Sequence, residues 1–318
     1  MRKILFAGVS ALALFAGAAF AQSSNDSTID QVGTLNDVTV DQAESVSGAR
    51  LVNRSVVDQG LANPASSHNS ADIKQKDSGT PPIRAVTNDS TVIQNGTWND
   101  ATVKQTGDVD DNAPLKPALN TVNINQTGNG TKKKERNIAF VSQNSDDGPV
   151  GNNSTTSASI TQNGRENEST IRQAGEKNTV SAANVGQVGN GNTADISQSE
   201  NNANDFPNPA KRRIGTTSNF GSITQTGNDN TATIVQGGSE NPAHSLQTNN
   251  ATVEQTGNEH VATVTQEGNG GLNSSFIEQS VADNTATVYQ TTTTSGSHNN
   301  SSSAIQSGMG NIANIRQR

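Results

Sequence analysis

The chain has 318 residues, a formal net charge of −8 at pH 7, and a hydrophobic content of only 30%, including 3% aromatic residues. Leu, Ile, Val and Phe together make up about 18% of the sequence, which is too little for a conventional hydrophobic core of this length. The lack of cysteine excludes disulfide frameworks, thiolate metal sites and cysteine nucleophiles, and the weakly acidic balance argues against a general nucleic-acid binder. A chain of this composition stays disordered unless something such as repetition compensates.

The N-terminal segment predicts a secretory signal peptide over residues 1–21. Arg2 and Lys3 precede an apolar run at residues 4–20, and Ala19 and Ala21 frame a small-x-small cleavage site. The alternative is a membrane anchor, but the run is short and the cleavage site follows it. We therefore expect an exported protein whose mature chain begins near Gln22 and forms a single repeat domain over residues 22–318.

One heptapeptide, Asn-x-small-x-[Ile/Val]-x-Gln, recurs along the rest of the chain. Counting from the final Gln gives twenty copies, and Ile or Val stands two positions earlier in all but one, where Ala304 replaces it. Asn stands six positions before the Gln in seventeen copies, and Thr156, Ser181 and His260 replace it in the others. Self-similarity of this density is the signature of a repeat architecture.

The copies form ten pairs, which span residues 25–42, 53–75, 88–105, 120–143, 156–173, 181–198, 219–236, 249–266, 273–290 and 300–317. In eight pairs the two Gln residues are eleven apart, whereas the pairs that end at Gln75 and Gln143 are longer by five and six residues. Their second heptads keep the full spacing, so we expect the extra residues to lie in the turn.

The marked positions of each heptad lie two residues apart, which is the period of a β-strand, so they share one face. Gln-x-Gly-x-x-Asn joins the two heptads of a pair, and Gly supplies the backbone freedom of a tight turn. Each pair is therefore predicted to be a strand-turn-strand unit in which Ile223 faces Ala232 and Gly221 faces Ile234. The sequence predicts an all-β fold, a β-solenoid of ten stacked strand-turn-strand repeats with amyloid-like cross-β geometry.

Stacking places identical side chains above one another, and buried Asn and Gln amides then form hydrogen bonds along the stack. The pattern reaches both end units without a capping segment, so we expect the open edges to template further chains. The positions assigned to this polymerisation core are Gln31, Gln42, Gln94, Gln105, Gln187, Gln198, Gln225, Asn230, Ala232, Ile234, Gln236, Gln255, Gln266, Gln290, Asn311, Ala313, Ile315 and Gln317.

The repeat resembles the curlin repeat of curli fibre subunits, whose pattern is Gln-x-Gly-x-x-Asn-x-Ala-x-Val-x-Gln. The segment from Gln94 to Gln105 matches this pattern throughout, and the resemblance covers residues 25–317. It implies a major-subunit-like functional amyloid that is secreted and forms an extracellular fibre, supporting biofilm matrix, surface adhesion and cell aggregation. Its implied partners are further copies of the chain, a nucleator subunit and an outer-membrane secretion pore. The chain departs from the family in its larger number of units and in lacking a Gly-rich segment before the first unit.

Two other functions remain open, namely a non-polymerising secreted solenoid that acts as an adhesin through its loops, and the minor nucleator subunit of the same fibre. An ice-binding solenoid would present flat Thr-x-Thr ranks, and most units lack them. The residue before the final Gln is charged in nine of the twenty copies, which favours protection against lateral aggregation.

Basic residues cluster at 132–136 and at 211–213. Each cluster is either a solvated loop or a contact for anionic polysaccharide or extracellular DNA. The four His residues are far apart in sequence, and no nucleophile elbow or acid-base pair accompanies the many Ser and Thr residues. We therefore expect no enzyme activity, no metal site and no cofactor.

Overall fold

The computed structural model describes residues 24–44, 50–60, 67–79, 85–109, 118–146, 155–176, 179–200, 216–238, 246–268, 271–292 and 299–318. Most of these residues lie in β-strands, and the one helical segment among them is a 3₁₀ turn at Lys133–Glu135. Within this part of the chain, no helix is long and apolar enough to cross a membrane. The predicted signal peptide and the basic cluster at 211–213 lie outside the described residues.

Twenty strands of the described residues alternate between two sheets. The first sheet contains β1 (Ser24–Gln31), β3 (Arg50–Gln59), β5 (Ala85–Thr97), β7 (Ala118–Asn129), β9 (Thr155–Arg165), β11 (Thr179–Asn190), β13 (Thr216–Asn228), β15 (Leu246–Asn258), β17 (Gly271–Ala282) and β19 (Asn299–Met309). The second sheet contains β2 (Asp37–Glu44), β4 (Ser70–Gly79), β6 (Asn99–Val109), β8 (Asn137–Asp146), β10 (Glu168–Glu176), β12 (Thr193–Glu200), β14 (Thr231–Gly238), β16 (Val261–Gly268), β18 (Thr285–Thr292) and β20 (Ile312–Gln317).

Every strand pairs in parallel with its counterparts in the neighbouring units, and each unit contributes one strand to each sheet. The register matches repeat position to repeat position, so that Gln225 lies between Gln187 and Gln255. Ten units therefore stack into one column of two facing sheets. This architecture confirms the predicted all-β solenoid with cross-β geometry.

The connections between successive units differ in length without changing this register. Six residues separate Gln266 from Asn273, whereas twenty separate Gln198 from Asn219. In both cases the strands on either side pair position for position. The alignment of the units is therefore set by the stacked side chains and the backbone ladder, and not by the length of the chain that joins them.

The core is thin because only the inward positions of each strand contribute to it. Along β14, Ala232, Ile234 and Gln236 are fully buried, while Thr231 and Val235 on the other face are exposed. One small and one branched residue per strand fill the space between the sheets, and amides flank them. This explains how a chain with so few large apolar residues buries a continuous core.

The two sheets are offset by about half a rung along the column. The Nε2 of Gln236 donates to the backbone oxygen of Phe220 in its own unit at 2.9 Å, whereas that of Gln225 donates to Thr193 of the preceding unit at 3.0 Å. Each strand of the first sheet therefore lies between the second-sheet strands of two units. This offset corrects one predicted contact, because the side chain nearest to Gly221 is that of Ile196 in the preceding unit and not that of Ile234.

Nine of the ten turns contain two residues with left-handed backbone conformation. In the seventh unit these are Gly227, with a φ of 117°, and Asp229, with a φ of 56°. Asn230 then holds the turn by donating from Nδ2 to the carbonyl oxygen of Gly257 in the next unit, at 2.9 Å. The second left-handed position is occupied by Leu35, His68, Trp98, Glu166, Gly191, Asp229, Glu259, Asp283 and Gly310.

The fourth unit has an inserted turn between β7 and β8, and this insertion contains the 3₁₀ turn. The backbone N–H and the hydroxyl of Thr131 donate to Oε2 of Glu135 at 2.8 and 2.9 Å, and these bonds lower the pKa of the Glu135 carboxyl. The repeat pattern resumes at Asn137, whose backbone N–H donates to the carbonyl oxygen of Trp98 at 3.0 Å. The extra residues of this unit thus lie in the turn.

Replacing Gly227 with alanine is expected to lower the free energy of unfolding by about 2 kcal/mol. The new Cβ would meet the backbone of Gly257, and its φ of 117° disfavours any residue with a side chain. Gly237→Ala is the matched control, because the nearest atom to its Cβ would be the hydroxyl oxygen of Ser199 at 4.0 Å. Urea unfolding followed by circular dichroism measures both, and equal losses would contradict the turn geometry.

Candidate polymerisation site

The final Gln residues of the heptads form two continuous hydrogen-bonded ladders, one in each sheet. In every step the Nε2 of one Gln donates to the Oε1 of the Gln in the next unit, over 2.6 to 3.0 Å. The first ladder holds Gln31, Gln59, Gln94, Gln126, Gln162, Gln187, Gln225, Gln255, Gln279 and Gln306. The second holds Gln42, Gln75, Gln105, Gln143, Gln173, Gln198, Gln236, Gln266, Gln290 and Gln317.

Both ladders have the same polarity, because every donor points toward the C-terminal end of the column. The second N–H of the amide is also used. In Gln236 it donates to the Phe220 carbonyl across the core, and in Gln266 to that of Asn250, each at 2.9 Å. Buried amides are costly when their polar atoms lack partners. Their hydrogen bonds require the same residue in the next unit, so the ladder selects this one register.

Asn residues form a further ladder at the start of the second-sheet strands. The Nδ2 of Asn230 donates to Oδ1 of Asn192 at 3.1 Å, in addition to its bond to the Gly257 carbonyl. His260 continues this ladder although it is not an amide. Its backbone N–H donates to Oδ1 of Asn230 at 3.1 Å, and its Nδ1 accepts from the backbone N–H of Asn284 at 3.3 Å. The His260 ring thus takes the acceptor role that the side-chain oxygen of Asn has in the other units.

The corresponding Asn ladder of the first sheet is interrupted at two units. Thr156 still donates from its hydroxyl to Oδ1 of Asn120 at 2.6 Å, but the buried hydroxyl of Ser181 has no hydrogen-bond partner within the described part of the chain. The ladder resumes at Asn249, whose Nδ2 donates to Asn219 at 2.8 Å. Amide continuity is therefore complete in the Gln ladders and incomplete here, so the Gln ladders carry the register through the middle of the column.

The positions assigned from the sequence occupy two kinds of environment. Asn230, Ala232 and Ile234 lie in the buried middle of the column, where Ile234 is stacked between Ile196 and Val264. The assigned residues of the last unit are half-buried or exposed, because no described strand covers them; they are Asn311, Ala313, Ile315 and Gln317. The assigned Gln residues of the first unit, Gln31 and Gln42, are likewise incompletely buried.

Both ends of the column present open strand edges. Among the described strands, β1 and β19 form the outer edges of the first sheet, and β2 and β20 those of the second. At the first unit, no described residue donates to Oε1 of Gln31 or of Gln42. At the last unit, the acceptors that the structure describes for the side-chain amides of Gln306 and Gln317 are the carbonyl oxygens of Thr285 and Ser301 across the core. One end thus offers ladder acceptors and the other offers ladder donors.

Outward-facing charges contribute little to the stability of a single column. The four ion pairs between described residues, such as Arg54–Asp89 at 2.8 Å and Arg172–Asp195 at 3.4 Å, are partly exposed, and such pairs are worth at most about 1 kcal/mol. Partial burial raises the pKa of the Asp195 carboxyl even though Arg172 opposes the shift. Charged outward side chains on strands generally oppose edge-to-edge association.

A row of acids lies along three consecutive turns, at Asp229, Glu259 and Asp283. The pKa of Glu259 is raised by a hydrogen bond with Asp283 and by repulsion from the carboxylates of Asp283 and Asp229. A raised pKa means that the folded state binds the proton more tightly than the unfolded state. This contribution to stability is therefore present below pH 4.5 and is lost as the pH rises through the higher pKa of the folded state.

Glu259→Gln is accordingly expected to raise stability at pH 7 and to flatten the decline in stability between pH 4.5 and pH 7. Glu166→Gln is the control, because Glu166 occupies the same turn position but lies beside Lys133 and Arg136. The measurement is the urea midpoint of each variant at pH 4.5 and at pH 7. A Glu259→Gln chain with the wild-type pH dependence would exclude this repulsion.

Sequence reasoning missed one constellation on the turn edge. The rings of His68 and Trp98 are stacked, with centroids 4.2 Å apart and an interplanar angle of 16°. Lys133 and Arg136 of the inserted turn line the same cavity. Alignment of the repeats could have revealed this stack, because His68 and Trp98 both precede the turn Asn in adjacent units. The two residues are far apart in sequence, however, and their proximity becomes evident only when the units are stacked.

Comparison with known families gives one match, to the curlin associated repeat. The family model matches residues 216–244 and 247–268, which contain β13, β14, β16 and all of β15 except its first residue. No curated protein matches the chain significantly. The matched units are among those with intact Gln ladders and with the left-handed turn geometry described above.

Proposed function

We propose that the chain, whose seventh and eighth units match the curlin associated repeat, is a structural subunit of an extracellular curli-like amyloid fibre. Growth proceeds by stacking the first unit of one chain on the last unit of another. The observation that carries this proposal is the pair of Gln ladders, which run the whole column with one polarity and end in acceptors at one edge and donors at the other. Unpaired strand edges template further strands unless something blocks them.

The half-rung offset specifies how two columns would join. Each first-sheet strand lies between two second-sheet strands, so β1 of an incoming chain would pair with β19 and lie against β20. Gln306 would donate to Gln31 of the incoming chain, as Gln279 donates to Gln306 at 2.8 Å. Gln31 of the incoming chain would in turn donate to the carbonyl of Ile312, as Gln306 donates to Thr285 at 3.0 Å.

The Asn ladders would add hydrogen bonds of the opposite polarity to the same joint, because here the incoming chain donates. Asn300 donates to Asn273 at 3.1 Å, so its own Oδ1 faces the outer edge and would accept from Asn25 of the incoming chain. Asn311 would likewise accept the backbone N–H of Asn36 of the incoming chain, as Asn284 accepts that of Asn311 at 2.9 Å. Each edge then presents both donors and acceptors, and they are complementary in position.

Apolar side chains also concentrate at the two edges. The four most exposed large hydrophobic residues of the described chain are Ile312, Leu35, Met309 and Ile305, at 67% to 75% exposure, and all belong to the first or last unit. Leu35 of an incoming chain would stack above Gly310, next to Met309 and Ile312. Burial of Leu35, Met309 and Ile312 adds a hydrophobic contribution to the joint.

The wider role follows from the fibre. A chain of ten rungs would add about 48 Å of length at about 4.8 Å per rung. We propose that the protein is secreted and serves as a scaffold of the biofilm matrix, for surface adhesion and cell aggregation, without catalytic activity. Its partners would be further copies of itself, a nucleator subunit and an outer-membrane secretion pore. The signal peptide predicted over residues 1–21 and the match of residues 216–268 to the curlin associated repeat support these assignments.

Seeded assembly tests the proposal. The full chain is released from denaturant and followed by thioflavin fluorescence with and without preformed fibres. We expect a lag that seeds abolish, and fibres with a reflection near ~4.7 Å. A stable β-rich monomer that ignores seeds would refute the fibre subunit and would favour the non-polymerising adhesin. Efficient seeding of a different curlin chain at trace amounts would favour the nucleator.

A further inference from the structure

We propose that the turn edge of the second to fifth units carries a binding site for an anionic polysaccharide, built around His68, Trp98, Lys133 and Arg136. The site lies within one chain. It therefore depends neither on polymerisation nor on a second copy, and it assigns a ligand to residues that the fibre joint does not use.

The aromatic part of the site comes from two adjacent turns. His68 and Trp98 occupy the second left-handed position of their turns, with φ of 60° and 61°, and stacking of the units brings their rings face to face at 4.2 Å. The stack leaves Trp98 half-buried and His68 half-buried beside an open cavity. Flat aromatic surface next to convergent polar groups is the usual lining of a small-molecule site, and pyranose rings present apolar C–H faces to it.

Two cavities adjoin this stack along the column. The first, of about 220 Å³, is lined by His68 and Trp98 together with Asp100, Lys133 and Arg136. The second, of about 560 Å³, is lined by Lys133, Lys134 and Arg136 together with Glu166 and Glu168. Lys133 and Arg136 border both cavities, so a polymeric ligand can cross from one to the other and contact the same two cations on the way.

The charges around the cavities select an anion with hydroxyl groups. Residues 132–136 hold four basic side chains and one acid, and that acid, Glu135, is already hydrogen-bonded to Thr131. Arg136 makes an ion pair with Asp100 at 3.2 Å, while the Lys133 side chain is exposed and makes no ion pair among the described residues. Lys133 thus provides charge for a ligand carboxylate, and the carboxylate oxygens of Asp100 and Glu168 accept hydrogen bonds from sugar hydroxyls.

These features favour a uronic-acid polymer over a nucleic acid. Three carboxylates, those of Asp100, Glu166 and Glu168, line the same cavities and would repel a closely spaced row of phosphates. One face of Trp98 is already covered by His68, which leaves less room for successive bases to stack. In a sugar polymer the carboxylates are spaced further apart. They can pair with the basic side chains without each lying next to an acidic side chain of the site.

Trp98 is the only tryptophan of the chain, so its emission reports on the site directly. The full chain is titrated with oligogalacturonate, with the fully methyl-esterified oligomer of equal length, and with a single-stranded oligonucleotide. We expect a saturable emission change with oligogalacturonate and at least about tenfold weaker binding of the uncharged ester. Absence of a saturable change would overturn the proposal, and oligonucleotide binding as tight as that of oligogalacturonate would assign the surface to nucleic acid instead.

Two adjacent lysines provide a matched pair of variants. Lys133→Gln should weaken oligogalacturonate binding about fivefold, whereas Lys132→Gln should leave it unchanged, because Lys132 borders neither cavity. Both side chains are exposed and both changes remove one charge. Equal losses in the two variants would mean diffuse attraction to the basic turn and would refute a defined site.

A third variant removes the aromatic surface without straining the turn. Gly191 and Gly310 occupy the same left-handed position in other units, so Trp98→Gly should keep the fold. Binding is then followed by calorimetry, and we expect it to fall below detection while the circular dichroism spectrum stays that of the wild type. Retained binding in this folded variant would exclude the role of the ring.

Discussion

Replacing Ile315 with lysine is expected to slow fibre elongation at least about 100-fold while leaving the single chain folded. Ile315 is the inward branched residue of β20, pairs in register with Val288, and is only half-buried in one chain. In the proposed joint, Val40 of the incoming chain would cover it. The lysine ammonium would then be buried without a partner, which costs several kcal/mol, or about tenfold in rate for each 1.4 kcal/mol.

Ile305→Lys is the matched control in the same unit. Ile305 faces outward from β19 and is 67% exposed, and its neighbour in register is Glu278. A lysine there stays in solvent next to a carboxylate, so elongation should change by no more than about twofold. Both variants are added as soluble chains to wild-type seeds, and circular dichroism verifies that each is β-rich beforehand. Equal rates for the two variants would argue against growth through this edge.

Replacing Ile234 with lysine is expected to lower the free energy of unfolding by more than about 4 kcal/mol and to abolish fibre formation. Ile234 is fully buried and lies between Ile196 and Val264 in the ladder of the second sheet. A lysine at this position places a charge among apolar side chains, and the surrounding amides are already used in the Gln and Asn ladders. The seventh unit would separate from its neighbours on both sides.

Thr233→Lys differs from this variant by one position and by the face of the strand. Thr233 points outward and is in register with Asp195 and Thr263, so a lysine would gain a carboxylate neighbour. We expect the urea midpoint and the final thioflavin signal to stay close to the wild type. Loss of both signals at Thr233 as well as at Ile234 would show that the two faces of β14 are assigned wrongly.

The period of the repeat was sufficient to predict the fold, because each level of description gives the same answer. Positions two residues apart share a face, the small and branched residues alternate within it, and the Gln at the end of each heptad needs an identical partner above and below. The register therefore follows from the sequence alone, as the stacking of Gln225 between Gln187 and Gln255 illustrates.

The offset between the sheets could not be predicted in the same way. Both heptads of a unit carry the same pattern, so the sequence alone does not distinguish whether Gly221 lies opposite Ile234 or Ile196. The choice depends on which backbone carbonyl each Gln reaches across the core, as Gln225 does with Thr193. The second left-handed turn position could not be predicted from the sequence either, because residues as different as Leu35 and Trp98 occupy it. Its geometry is imposed by the neighbouring units and not by the preference of the residue.

The register does not depend on the length of the connections, and this matters for the design of fibre materials from this chain. A connection of twenty residues joins units aligned in the same way as those joined by six. A peptide tag, a metal-binding loop or a small enzyme inserted between two units would therefore be carried outside the stack without shifting it. A fibre of such chains would display its cargo in a row along one side, once per chain and about 48 Å apart.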